Sequence, residues 1–201
     1  MQEETNSNKM QEETEMFLAK AKGIHGDICA GLVMGTRLSL AGMRVLRLDP
    51  ETRNRDLIVF VEVDRCMTDA VQAVTGCSLG HRNLKYFDYG KFAAVLFDNS
   101  THRAVRVSPR LGREEGVQDI IQHWRTVPEE RLVRIQEVEV NVREDDLPGK
   151  PRSRLPCSKC GEIIMDNRGI SANGSLLCRP CAEGGAYYRS MTKEKIGGEV
   201  S

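Results

Sequence analysis

Apolar residues recur at helical spacing between Leu32 and Leu46, with Leu32, Val33, Leu38, Leu40, Met43 and Leu46 supplying a buried face. This predicts a helix over about 31–47, stopped by Asp49-Pro50. Upstream, Met16, Phe17 and Leu18 anchor a shorter helix from about Glu12 to Lys22, which Gly23 ends. Residues 1–15 are polar and acidic and carry the string MQEET twice, so they read as a disordered or solvated leader. The run Leu57 to Val63 is apolar and β-branched, as a buried strand requires. Asp64 can cap a helix over 66–75, and Gly76 ends it. Lys91–Phe97 and Arg103–Val107 read as strands joined at Asn99-Ser100. Helices over 114–125 and 129–134 follow, and Val138, Val140 and Val142 alternate with polar residues as a last strand. Residues 16–144 thus form an α+β core with an antiparallel sheet packed by helices.

The pattern then breaks. Residues 145–156, DDLPGKPRSRLP, hold three prolines, a glycine and three basic side chains, the composition of a linker. Beyond it, Cys157-x2-Cys160-x17-Cys178-x2-Cys181 has four-cysteine zinc spacing. Two residues between ligands let a tight knuckle aim both sulfurs at one ion about 2.3 Å away. Gly161 follows the second sulfur, where the knuckle turns back. Ile163–Met165 and Leu176-Leu177 read as the two arms of a hairpin between the knuckles. Residues 157–201 are therefore expected to be a treble-clef or zinc-ribbon domain and tail, held by a structural zinc ion.

Composition adds limits. Lysine plus arginine and aspartate plus glutamate each number 29, so the chain as a whole favours neither anionic nor cationic partners. Residues 149–201 carry nine basic against five acidic side chains, and four thiolates with zinc add about two negative charges. Nucleic acid is thus a weakly supported partner, and Tyr187 and Tyr188 suit packing better than base stacking. No apolar run reaches the roughly 20 residues of a membrane span, and no signal-peptide pattern opens the chain. Seven cysteines, four of them in Cys-x-x-Cys pairs, fit a reducing compartment, and the cytoplasm is the expected location.

Three cysteines remain. Cys66 opens a predicted helix, Cys77 lies just past its end, and His25 and Cys29 flank the start of another. These four could converge on one cavity, or could simply be buried. His81, His102 and His123 lack partner spacing, and Trp124 reads as core. Lys91 reads as a solvated strand lysine that could also assist an anionic ligand.

The stretch EVDRCMTDAVQAVTGCSLGHRNLKYFDYGKFAAVLFD, Glu62 to Asp98, resembles the signature of the FmdE family, named for a component of formylmethanofuran dehydrogenase. HGDICAGLVMGTR, His25 to Arg37, resembles that family's N-terminal loop–helix motif. The segment 157–181 is similar to the C-terminal zinc finger of some members. The resemblance implies an α+β core, an intertwined homodimer, and a candidate transition-metal site at His25, Cys29, Cys66 and Cys77, with Asp69, one turn after Cys66, placed to orient a ligand or to favour the helix dipole. Two positions depart from the family pattern. Asp27 stands where a second histidine is usual, and Ala30 where a proline is usual.

Three functions follow as expectations. The first is a metal-binding accessory subunit or factor for a molybdenum or tungsten formylmethanofuran or formate-type dehydrogenase. The second is a metal sensor or regulator that uses its finger. The third is a small thiol- or metal-dependent enzyme with Cys66, Cys77 and His25 as candidates. No molybdopterin constellation or iron–sulfur cysteine run marks the chain as a dehydrogenase by itself.

Overall fold

The computed structural model describes residues 2–110, 116–189 and 191. The chain divides into two compact units, Met1–Asn141 and Val142–Ser201.

The first unit opens with α1 (Gln2–His25) and α2 (Ala30–Leu46). Strand β1 (Leu57–Val61), helix α3 (Cys66–Thr75) and strands β2 (Leu84–Tyr86), β3 (Ala94–Asp98) and β4 (Arg103–Pro109) follow. Helices α4 (Ile120–Thr126) and α5 (Glu129–Leu132) then lead into β5 (Val133–Val138). The sheet order is β2-β1-β3-β4-β5. All neighbours are antiparallel except β1 and β2, which run parallel. One face of the sheet, with Leu57, Val59, Val61, Leu96, Val105 and Val107, buries against Met34, Leu38, Ala41 and Met43 of α2. A smaller cluster, Leu18, Ala21, Leu32, Val33 and Ala70, joins α1, α2 and α3. The central helix α2 is therefore covered on more than one side. Its buried Thr36 and Ser39 hydroxyls donate back to the Leu32 and Gly35 carbonyls rather than remain unpaired.

Several expectations change. The segment read as a leader over 1–15 is helical from Gln2, and Thr14 already lies in the interior. Thr14, Phe17, Leu18 and Ala21 share one helical face, so the core-facing stripe starts earlier than the anchor Met16-Phe17-Leu18 suggests. Met16 points outward at 37 % exposure. The helix expected over 114–125 begins at Ile120, behind an Asp119 side-chain cap, and residues 114 and 115 lie outside the described residues. The last strand is 133–138, not 138–142, because Val133 to Val138 pair in register with Pro109 to Ala104. Strand β2 carries no alternation long enough to read in sequence. It forms because Asn83 and Leu84 present their backbone to β1.

Arg37, only 7 % exposed, also lies on α2. Its Nη1 donates to the carbonyls of Trp124 (2.8 Å) and Val127 (2.6 Å) at the end of α4. A cation there satisfies terminal carbonyls and complements the helix dipole. Replacing it, Arg37→Met, is expected to cost about 1–3 kcal/mol by leaving both acceptors without this donor. Urea unfolding of the full chain measures this, and an unchanged midpoint would contradict it.

In the second unit, β6 (Arg154–Pro156) pairs with β7 (Ile163–Met165), and β8 (Ile170–Ala172) pairs with β9 (Ser175–Leu177). Helix α6 (Arg179–Glu183) closes the unit. The expected hairpin between 163–165 and 176–177 is thus two hairpins, each with a local partner. Residues 145–156 are not a free linker. Asp145 and Asp146 accept from Asn167 and Arg168, and Ser153 Oγ accepts from the Asn167 N–H. The segment supplies a strand because β7 would otherwise have an unpaired edge. Residue 190 and the tail 192–201 lie outside the described residues.

Candidate metal centres

The four-cysteine centre is built from both hairpins and α6. Cys157 and Cys160 form the knuckle between β6 and β7, where Gly161 takes φ +76° and donates its N–H to the Cys157 carbonyl. Cys178 is the N-cap of α6, and Cys181 lies in its first turn. One sulfur from each cysteine lies within 4.8 Å of all the others, and Cys160 and Cys178 Sγ are 3.8 Å apart. An ion bound tetrahedrally with about 2.3 Å bonds sets sulfurs about 3.8 Å apart, so the donor set fits zinc. Cys157 Sγ accepts N–H bonds from Cys178 (3.3 Å) and Lys159 (3.5 Å). Such bonds hold Cys157 down to about 6, with the Cys160 and Cys178 N–H groups as the main cause. Cys181 goes the other way, to about 12, because its Cys178 neighbour and burial favour the neutral thiol. Four crowded thiols resist ionising together, and a divalent ion removes that conflict. A Cβ on Gly169 would sit 2.5 Å from Leu176 Cδ1, so that side chain would have to shift. Tyr187 and Tyr188 are exposed and contact each other edge-on, with ring centroids 5.2 Å apart.

In the first unit, three helix termini meet. His25 ends α1, Cys29 caps the N-terminus of α2, and Cys66 opens α3. Gly26, at φ +101°, makes the turn between α1 and α2. Donor atoms of His25, Cys29 and Cys66 all lie within 4.8 Å of one another. Asp69 stands one turn into α3, and its Oδ2 is 2.7 Å from His25 Nδ1. A carboxylate accepts, so Nδ1 carries the proton and the Nε2 lone pair is left for a metal. Nε2 lies 3.7 Å from Cys29 Sγ, against about 3.6 Å for a nitrogen and a sulfur sharing one tetrahedral ion. The Asp69 hydrogen bond is the main cause that raises His25. Burial pulls Cys29 up, but bonds from the Cys66 thiol, the Leu32 N–H and His25 outweigh it and bring the group down. Cys66 is raised by burial and by its neighbour Cys29. The sulfur of Cys29 also caps α2, accepting the Leu32 N–H at 3.3 Å.

Cys77 does not join this cluster. It is 1 % exposed in the main core, and its thiol donates to the Leu57 carbonyl at 3.5 Å. Burial pushes it up to about 11. Cys66 is the first residue of α3 and Cys77 lies just past its end, so nine helical steps of 1.5 Å, about 14 Å, separate the two ends, beyond the reach of one ion. Of the four expected core residues, the structure thus brings together His25, Cys29 and Cys66, with Asp69 behind the histidine. His81 shares a 2.7 Å hydrogen bond with Ser78 on the surface, and His102 sits in the β3–β4 turn at φ +55°, not on a strand. Lys91 Nζ lies 5.7 Å from the Tyr89 ring centroid.

Two glycines that sequence reasoning passed over make the cluster geometrically feasible. A Cβ on Gly31 would come 3.2 Å from Cys66 Cβ, and one on Gly35 would come 2.8 Å from Met67 Cα. They let α3 pack directly on the first turns of α2. The readable signal was Gly31-x3-Gly35, two small residues on one face of a strongly apolar helix.

Comparisons with known proteins agree with this architecture. A family model described as "FmdE, Molybdenum formylmethanofuran dehydrogenase operon" matches residues 24–145, well over half the chain. A second, "Prokaryotic dksA/traR C4-type zinc finger", matches residues 150–184. A "Probable S-adenosyl-L-methionine-binding protein" of Archaeoglobus fulgidus is 29 % identical over an alignment of 218 positions. That match covers 92 % of this chain, which spans 57 % of the relative's length. The crystal structure of an FmdE-like protein of the tungsten formylmethanofuran dehydrogenase type, from Syntrophus aciditrophicus, superposes with a TM-score of 0.58 at 22 % identity. It covers 87 % of this chain and 95 % of the other, and it shows the same fold. No helix among the described residues is long and apolar enough to cross a membrane. The α+β unit with its three-terminus cluster, followed by a C4-type finger, thus belongs to the FmdE family.

Proposed function

We propose that this chain is a cytoplasmic metal-binding accessory protein, serving a molybdenum or tungsten dehydrogenase of formyl or formate chemistry. Its core would hold a transition metal on His25, Cys29 and Cys66, and its finger a structural zinc on Cys157, Cys160, Cys178 and Cys181. The observation that carries the reading is the convergence of His25, Cys29 and Cys66 within 4.8 Å, with Asp69 fixing the histidine. One nitrogen and two sulfurs suit zinc, iron, nickel or copper better than magnesium. Three protein ligands would leave one tetrahedral position for an exchangeable ligand, unlike the closed finger site. The link to a dehydrogenase is supported by the family match alone. Exposed Leu79, Phe87 and Tyr89, flanking the edge strand β2, support the homodimer that the resemblance implies.

Cobalt titration tests the core site. Cobalt should show a second binding step beyond the finger, and Asp69→Asn should weaken that step about 10–100-fold without altering the first. A single step, or a second step indifferent to Asp69, would count against the core metal. The accessory role requires a molybdenum or tungsten dehydrogenase to co-purify with the tagged chain from its own cells. Its consistent absence would count against that half.

A further inference from the structure

Two thiols this close to one another and to a histidine have a second chemistry open to them, which does not require a metal. We propose that Cys29 and Cys66 form a reversible disulfide on reaction with hydrogen peroxide, with Cys29 as the attacking thiol and Cys66 as the resolving one.

The two sulfurs lie within 4.8 Å, and both residues are partly exposed. Cys77, by contrast, is sealed in the core. The separation is held by backbone rather than by flexible side chains, since Gly31 brings the first turn of α2 against Cys66 Cβ. Roles within the pair follow from what each sulfur touches. Cys29 Sγ accepts the Leu32 N–H at 3.3 Å and lies 3.7 Å from His25 Nε2. The ring is steadied at 2.7 Å by Asp69. A base and a donor thus bear on Cys29. The side chain of Arg65, at the N-cap of α3 beside Cys66, makes no cap bond.

In the first step Cys29 Sγ attacks one peroxide oxygen, the O–O bond breaks and an S–O bond forms. His25 Nε2 takes the thiol proton and passes it to the departing hydroxide, which leaves as water. In the second step Cys66 Sγ attacks the Cys29 sulfur, the S–S bond forms, the S–O bond breaks, and the departing hydroxide takes the Cys66 thiol proton and leaves as a second water. Two thiols lose two electrons and two protons, and one peroxide is reduced to two waters. A dithiol reductant reverses the bond by exchange.

The disulfide removes two of the three core ligands proposed above, so oxidation would release a metal held there. That consequence rests on the proposed core site, whereas the disulfide does not. Fingers of the four-cysteine type also oxidise, so the readout must be local. Trypsin separates Cys29 in 23–37 from Cys66 and Cys77, which share 66–82. Purified full-length protein treated with hydrogen peroxide and digested without reductant should yield 23–37 joined to 66–82, lighter by two hydrogens than the sum. The joined peptide should persist in Cys77→Ala, vanish in Cys66→Ser, and separate on adding dithiothreitol. Its absence from wild type, or its loss in Cys77→Ala rather than Cys66→Ser, would overturn the proposal. Metal measured before and after treatment keeps the two ideas apart. A joined peptide from protein that never carried a core metal supports the thiol pair and sinks the metal reading. A core metal that binds, with no joined peptide on oxidation, does the reverse.

Discussion

Chelating the metal from the four-cysteine finger, or replacing Cys160 by serine, is expected to unfold residues 152–184 and leave the first unit folded. The apolar interior of this unit is very small. Among its described residues, Cys157 and Ile164 are the buried hydrophobic ones, whereas Leu155, Ile163 and Met165 are 40–59 % exposed. Its strands are three residues each and its helix five. Pieces that short do not persist alone. In zinc-finger peptides the metal contributes about 10–16 kcal/mol at neutral pH, which is folding free energy. Amide NMR spectra before and after chelation give the test. Signals of 152–184 should collapse to disordered positions, and those of Leu57–Val61 and Ala94–Asp98 should stay. A finger that keeps its dispersed signals without metal would contradict the assignment.

Gly35→Val should give the second large effect. A side chain at this position meets Met67 Cα at 2.8 Å and Ala70 Cβ at 2.9 Å, so backbone must move. Overpacking of this kind costs about 1–3 kcal/mol, and the β-branch adds to it. For a unit of this size that is a fall in Tm of roughly 5–10 °C. Because Cys66 heads α3, the same shift draws it away from Cys29 and should weaken core cobalt binding. Gly23→Ala is the matched control. Gly23 is helical and exposed, with nothing within 4 Å of an added Cβ, so alanine there should stabilise by about 1 kcal/mol. If both substitutions behave alike, the glycine contact is not what holds the helices together.

Much of this arrangement was readable from residues. The apolar run of α2 and the strand β1 are long or dense enough for period to decide, and α3 ends at Gly76 as expected; its N-cap, however, is Arg65, which makes no side-chain cap bond, and not Asp64. The finger was legible because metal spacing is a local property. What pairs with what was not. β6 hides in a proline-rich stretch, and β2 has three residues whose partner lies more than twenty positions away. Residues 138–142 alternate more strictly than 133–138, whose period breaks at Glu137-Val138, yet β4 pairs with 133–138. Cys77 is a different kind of miss. Its place at a loop–helix junction and the family resemblance both favoured a shared site, yet Cys66 and Cys77 stand at opposite ends of one ten-residue helix, too far apart for one ion. His25, Cys29 and Cys66 come together because each stands at a helix end, and Gly31 and Gly35 let those helices pack closely.

The central claim is a metal in the core, beside the one in the finger. Metal content per chain, measured by elemental analysis on purified wild type and on Cys29→Ser/Cys66→Ser, tests it most directly. The account predicts more than one metal ion per chain in wild type and one in the double variant, with the finger's NMR signals unchanged. One zinc per chain in both proteins would contradict it.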